Sequence, residues 1–134
     1  MMSVFTKIIS GEIPSYKVAE TADFYAFLDI NPNAPGHTLC VPKQETDKLF
    51  DLEEDVYTRL MQFSRNVALC LREEVSCKRL GMAVIGLEVP HVHVHLIPLR
   101  DMEDMRFSNK VSLENEEMQD IADRVNNRYN NTFN

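Results

Sequence analysis

Long hydrophobic runs are missing from this chain, and nothing approaches the roughly 18 apolar residues of a membrane-spanning helix. Positive charge is scarce as well: 14 Lys and Arg face 21 Asp and Glu, for a formal net charge of −7. That balance excludes a broad nucleic-acid-binding surface, which needs clustered Lys and Arg against the phosphates. It leaves room for a small phosphorylated ligand held by local groups, although the overall field does not steer one in. The three cysteines, Cys40, Cys70 and Cys77, are odd in number and lack a CxxC spacing. They make neither a disulfide framework nor a zinc knuckle, and fit small buried residues in a reducing compartment. Glycine is sparse, and neither GxxxxGK[ST] nor GxGxxG occurs, so any phosphate chemistry is not of the P-loop or Rossmann kind. With only Lys7 before Gly11 and no long apolar run behind it, the N-terminus carries no recognisable signal peptide, and a cytoplasmic location is expected. No repeat or linker divides the chain, so residues 1–134 are read as one domain, long enough for a real core.

What is present is concentrated in Pro90-His91-Val92-His93-Val94-His95-Leu96-Ile97-Pro98, which holds three of the four histidines. On a β-strand, residues i, i+2 and i+4 share a face. His91, His93 and His95 then form an imidazole ladder, backed by an apolar face of Val92, Val94 and Leu96. The branched residues between bounding prolines favour a strand over a helix.

Around this stretch the pattern is α+β. Val4, Phe5, Ile8 and Ile9 give one apolar side to a short helix that Gly11 can stop. Tyr16 to Glu20 and Phe24 to Ile30 read as a β-hairpin. Asn31-Pro32-Asn33-Ala34-Pro35-Gly36 is the strongest loop signal, and it delivers His37 into a short strand ended by Pro42. Val56, Leu60, Phe63, Val67 and Leu71 make one apolar stripe along a long helix over 55–75. Leu80 to Gly86 is a further strand. Residues 100–109 read as an exposed polar loop. A last helix over about 112–127, capped by Ser112 and with Met118, Ile121, Ala122 and Val125 inward, precedes a tail expected to fray. The expected architecture is a mostly antiparallel sheet of about five strands with the long helix packed across it, and the histidines on the opposite face or the rim.

Three readings of the ladder compete: a histidine-rich surface strand, a metal site, and a catalytic site using imidazole on phosphate or acyl groups. Three successive rungs span about 13 Å, so one ion cannot take all three unless the strand bends. Among nearby acids in the sequence, Glu88 is the candidate further ligand. Imidazole attacks phosphorus well when a hydrogen bond at its other nitrogen holds one tautomer, and the reaction needs donors for the phosphate oxygens. A middle histidine flanked by two others, with His37 behind them, has the parts for this.

The His-φ-His-φ-His-φ-φ run at 91–97 resembles the signature of the histidine triad (HIT) family of nucleotide hydrolases and transferases. Phe27-Leu28-Asp29-Ile30-Asn31-Pro32 through Gly36-His37-Thr38 and Phe5-Thr6-Lys7-Ile8-Ile9-Ser10-Gly11 are similar to other blocks of that family, so the likeness covers about 4–100 in matching order. It is strongest to the branch of adenosine phosphoramidases. The resemblance implies that His93 is the nucleophile forming a nucleotidyl-histidine, supported by His91, His95 and His37. It implies that Asp29 binds the ribose hydroxyls, and that Phe5, Ile8, Ile30 and Val4 line a slot for a base, a purine by preference. It implies phosphoramidates or dinucleoside polyphosphates as substrates, a homodimer, and no metal or other cofactor. The chain also departs from the family. Residues 80–90 contain no Asn, Gln, Ser or Thr, and Leu87 and Glu88 stand where the family has Gln and Ser/Thr. A carboxylate beside a phosphate is repulsive, which leaves a nucleotide-binding protein with little turnover as the alternative reading.

Overall fold

A computed structural model describes residues 2–134. Its sheet has five strands, β1 (Lys17–Glu20), β2 (Phe24–Leu28), β3 (Thr38–Pro42), β4 (Arg79–Ala83) and β5 (Val94–Leu99), in the order β1-β2-β3-β5-β4. Every neighbouring pair is antiparallel. The α+β expectation and the strand count hold. Among the described residues three α-helices pack with the sheet: α1 (Val4–Ile9), α2 (Glu54–Glu74) and α3 (Asn115–Phe133). None of the described helices is long and apolar enough to cross a membrane.

Side-chain alternation sorts the sheet into two buried faces. Phe24, Ala26 and Leu28 of β2, Cys40 of β3, and Val94 and Leu96 of β5 pack against Leu60, Phe63 and Val67 of α2 and Ile121 and Val125 of α3. Tyr25, Phe27, Leu39 and Val41 point the other way and are covered by Phe5 of α1. Both faces being covered, β2 and β3 are buried throughout instead of alternating with exposed residues. Leu39 pairs with His95 across β3 and β5, so the histidine side of β5 lies on the face away from α2.

Three expectations about the chain's ends and edges are corrected. The C-terminal helix starts after Glu114, which has no side-chain cap, and Ser112 does not cap it. The tail does not fray, because the helix continues to Phe133. Tyr129 is buried edge-on to Phe63, 6.0 Å between ring centres, and this packing outweighs the weak helix propensity of the asparagines. Residues 100–109 are not a plain loop. Asp101 and Asp104 form a reciprocal capping box around one 3-10 turn, Met102–Met105.

Candidate active site

The ladder is a strand only at its last rung. β5 begins at Val94, so His91 and His93 precede it. The reason lies across the sheet. Continuing the β3–β5 register would pair Val92 with Pro42, which has no N–H for the Val92 carbonyl, so the pair could form one ladder bond and not two. Val92 N–H turns instead to Thr46 O at 2.7 Å, and His91 N–H to Val89 O at 2.9 Å. The orphaned Pro42 carbonyl accepts from the His91 ring, Nε2 at 2.7 Å.

That bond starts a set of tautomer assignments, since a carbonyl only accepts. His91 carries its proton on Nε2, so Nδ1 accepts from the Ser3 hydroxyl at 2.7 Å. His93 Nδ1 lies 2.7 Å from His91 O and must donate to it. The His93 Nε2 lone pair is therefore left for chemistry. In the loop that leads into β3, the Asn33 backbone N–H donates to His37 Nδ1 at 3.0 Å. Neutral His37 then has its proton on Nε2, which donates to His95 Nδ1 at 2.9 Å. His95 in turn presents an Nε2–H. One histidine offers a lone pair and its neighbour a proton, with ring centres 4.9 Å apart.

Burial disfavours charge on His37, His91 and His95. His37 and His91 are fully buried, and His93 and His95 nearly so. Desolvation pushes His37 down to about 3 and His95 to about 4, with repulsion from neighbouring histidines and Lys110 adding to it. His91 is also lowered, chiefly by burial. Asp29, on the loop that follows β2, sits with a carboxylate oxygen 3.7 Å from His37 Nε2, and burial raises its pKa. Its N–H bonds His37 O at 2.9 Å, closing the loop that carries both. Gly36 makes that loop possible: its φ is +90°, and a Cβ there would meet Val75 Cγ2 at 3.0 Å and Pro98 Cγ at 3.1 Å.

His93 and His95 open onto a cavity of about 590 Å³ whose wall also contains Phe5, Asp29, Leu39, Glu88, Phe107 and Lys110. Phe5 stands edge-on to His93, 4.9 Å between centres. His37 and His91 are not in the wall but lie behind it as partners of the two that are. The structure does not bring Ile30, Val4 or Ile8 into the wall. Ile30 is 80% exposed and Val4 is also exposed, while Ile8 packs against the Phe5 cluster. Sequence reasoning missed Phe107 and Lys110. Phe107 lies edge-on to His95 at 4.8 Å between centres, and a lone aromatic in a polar run was the one available signal. Asp29, His37 and His95 also bring one ligand atom each within 4.8 Å of one another, an acid–imidazole group that the sequence did not suggest. An ion held there would have to break the His37–His95 hydrogen bond. Cys40 is fully buried, its thiol pushed up to about 12 by desolvation, which fits a core residue and not a nucleophile.

The model of the HIT domain matches residues 10–102. The adenosine 5′-monophosphoramidase of Saccharomyces cerevisiae is 41% identical over 99 residues, which are 73% of this chain and 63% of that protein. The chain thus spans less than two thirds of that relative's length. A HIT-like protein of Borreliella burgdorferi is 33% identical over 131 residues, covering 91% of this chain and 94% of its own. Among solved structures, a Hit-like protein of Bartonella henselae superposes with a TM-score of 0.81 at 27% identity, over 93% of this chain and 94% of that one.

Proposed function

Because the chain belongs to the histidine triad (HIT) family, we propose that it hydrolyses nucleoside 5′-phosphoramidates through a covalent nucleotidyl-histidine at His93. The observation that carries this reading is the 2.7 Å bond from His93 Nδ1 to His91 O, which commits the Nε2 lone pair to attack. In the first step Nε2 bonds to phosphorus as the bond from phosphorus to the leaving nitrogen breaks. His95 Nε2–H gives the departing amine its proton, and the hydrogen bond donated by His37 Nε2 supports the proton-deficient ring. Water then attacks phosphorus, the histidine–phosphorus bond breaks, and the nucleoside monophosphate leaves. His95 recovers a proton from that water.

Binding follows from the wall. Asp29 faces the cavity as an acceptor for ribose hydroxyls, and Phe5 with Leu39 gives an apolar side for the base. Ile30 lies between two wall residues, Asp29 and Asn31, and its exposed side chain is available to close over an incoming ring. The relatives named as adenosine 5′-monophosphoramidases support adenosine as the nucleoside.

The test incubates purified protein with adenosine phosphoramidate, and in parallel with diadenosine polyphosphates, comparing the wild type with His93→Ala. Release of AMP by the wild type and its loss by several orders of magnitude in the variant is the expected outcome. Turnover that survives in His93→Ala refutes the nucleophile. A second reading, nucleotide binding with little turnover, is favoured by Glu88 in the cavity wall; tight AMP binding without AMP release from any of these substrates would establish it.

A further inference from the structure

We propose that Lys110 is the phosphate-binding cation of this cavity, delivered by the segment 100–111 that follows β5. This rests on the nucleotide reading above and names the group that meets the phosphate charge. Phosphoryl transfer depends on positive charge and donors at the phosphate oxygens. The segment ahead of the histidines supplies no side-chain donor, since residues 80–90 lack Asn, Gln, Ser and Thr and place Glu88 in the wall. His95, held well below the usual imidazole range by burial, offers a hydrogen bond but no charge at neutral pH. Among the described residues lining the cavity, Lys110 is the cation.

Its placement is built and not incidental. The ammonium donates to Asn33 Oδ1 at 2.8 Å. That partner is a neutral amide and not a carboxylate, so the hydrogen bond orients the charge without cancelling it. One of three N–H donors is spent, and two remain for an incoming oxygen. The same ammonium lies 5.3 Å over the Phe107 ring, and Phe107 stands against His95. Lys110, Phe107 and His95 are thus stacked in series, the cation at the rim and the proton donor beneath. Its field reaches the site, since Lys110 acts with burial to lower His37 and His95, and it opposes the burial that raises Asp29.

The segment itself is pinned at two points, Asp104 and Val111, to the loop that carries Asp29 and His37. Asn33 Nδ2 donates to Asp104 O at 3.0 Å, and Val111 N–H to Pro32 O at 2.9 Å. The Asp101–Asp104 capping box holds the turn at the first of these points, with Arg100 N–H on Asp104 Oδ2 at 2.8 Å. A solvated lysine on a free loop would need none of this.

The experiment compares AMP with adenosine, which differ by the phosphate. Calorimetric affinities for both are measured in wild type, Lys110→Met and Lys110→Arg, together with kcat and KM for adenosine phosphoramidate. Losing a charged hydrogen bond predicts that Lys110→Met weakens AMP by about ten- to a hundredfold, while adenosine stays within about twofold and Lys110→Arg recovers most of the loss. An AMP-to-adenosine affinity ratio unchanged in Lys110→Met overturns the assignment, whether both affinities fall together or neither moves. The outcomes separate the two proposals. A Lys110-dependent preference for AMP without phosphoramidate turnover in the wild type sinks the hydrolase and keeps the cation. Turnover with a Lys110-independent preference does the reverse.

Discussion

The neutral His37–His95 pair should make the fold sensitive to mild acid, in an amount that can be worked out. In the unfolded chain an imidazole titrates near 6.5, while in the fold His37 is pushed down to about 3 and His95 to about 4. Both folded values lie below the unfolded one, so unfolding takes up protons throughout the interval between them. The stabilisation is fully present above pH 6.5 and is lost as pH falls toward the folded values. Each histidine contributes about 1.4 kcal/mol per pH unit, or about 2 kcal/mol between pH 6.5 and 5. Since the two share one hydrogen bond and titrate as a pair, the loss at pH 5 is about 2 to 4 kcal/mol. Asp29, raised by burial, works with the opposite sign at the acid end and trims this slightly. Urea unfolding at pH 7 and pH 5, in wild type and in His37→Gln, isolates the term from the surface carboxylates. The wild type should lose more stability than the variant over that step. Equal losses would refute the buried neutral pair, as would assigned ring signals of His37 and His95 that titrate near 6.5 in the folded protein by NMR.

Two further substitutions probe the surroundings of the relay. Ser3→Ala removes both the N-cap of α1, whose oxygen accepts from Thr6 N–H at 3.1 Å, and the donor to His91 Nδ1. It should cost about 1–2 kcal/mol by denaturant midpoint, and a variant as stable as the wild type would show that the cap does not hold α1 over the site. Glu88→Ser removes a carboxylate from the cavity wall and should raise kcat/KM for adenosine phosphoramidate. The side chain is exposed and screened, so the gain is about two- to fivefold; no change, or a loss, counts against repulsion.

Much of this site could be read from residue spacing because the β-strand period is local. Period two put His93 and His95 on one face and Val94 and Leu96 on the other. The Pro- and Gly-rich loop marked the turn that delivers His37 into its strand, while its place beside His95 came only from the β3–β5 register. The aim of the His91 ring could not be read, because it depends on the Pro42 carbonyl, 49 residues earlier. Nor could Lys110, whose partner Asn33 is 77 residues away; locally it is one more lysine in a polar run. The helical tail escaped for a related reason. Asparagine propensity argues against a helix there, and the buried Tyr129 that overrides it makes its contact on α2.

Asn33 ties the two halves of the site together, and it is nearly fully buried. Its backbone N–H fixes the proton of His37 on Nε2, and through that the proton of His95 on the cavity side. Its side chain, oxygen to Lys110 and nitrogen to Asp104, fixes the segment that brings the cation and Phe107. Protonating His37 would set two donors face to face at Asn33, ring Nδ1–H against backbone N–H, with no acceptor between them. Relief would require the Asn33 turn to move, and Lys110 would move with it. Acid therefore strikes the proton relay and the position of the cation through the same residue, which makes the neutral pair a condition of the cavity's shape as well as of its chemistry.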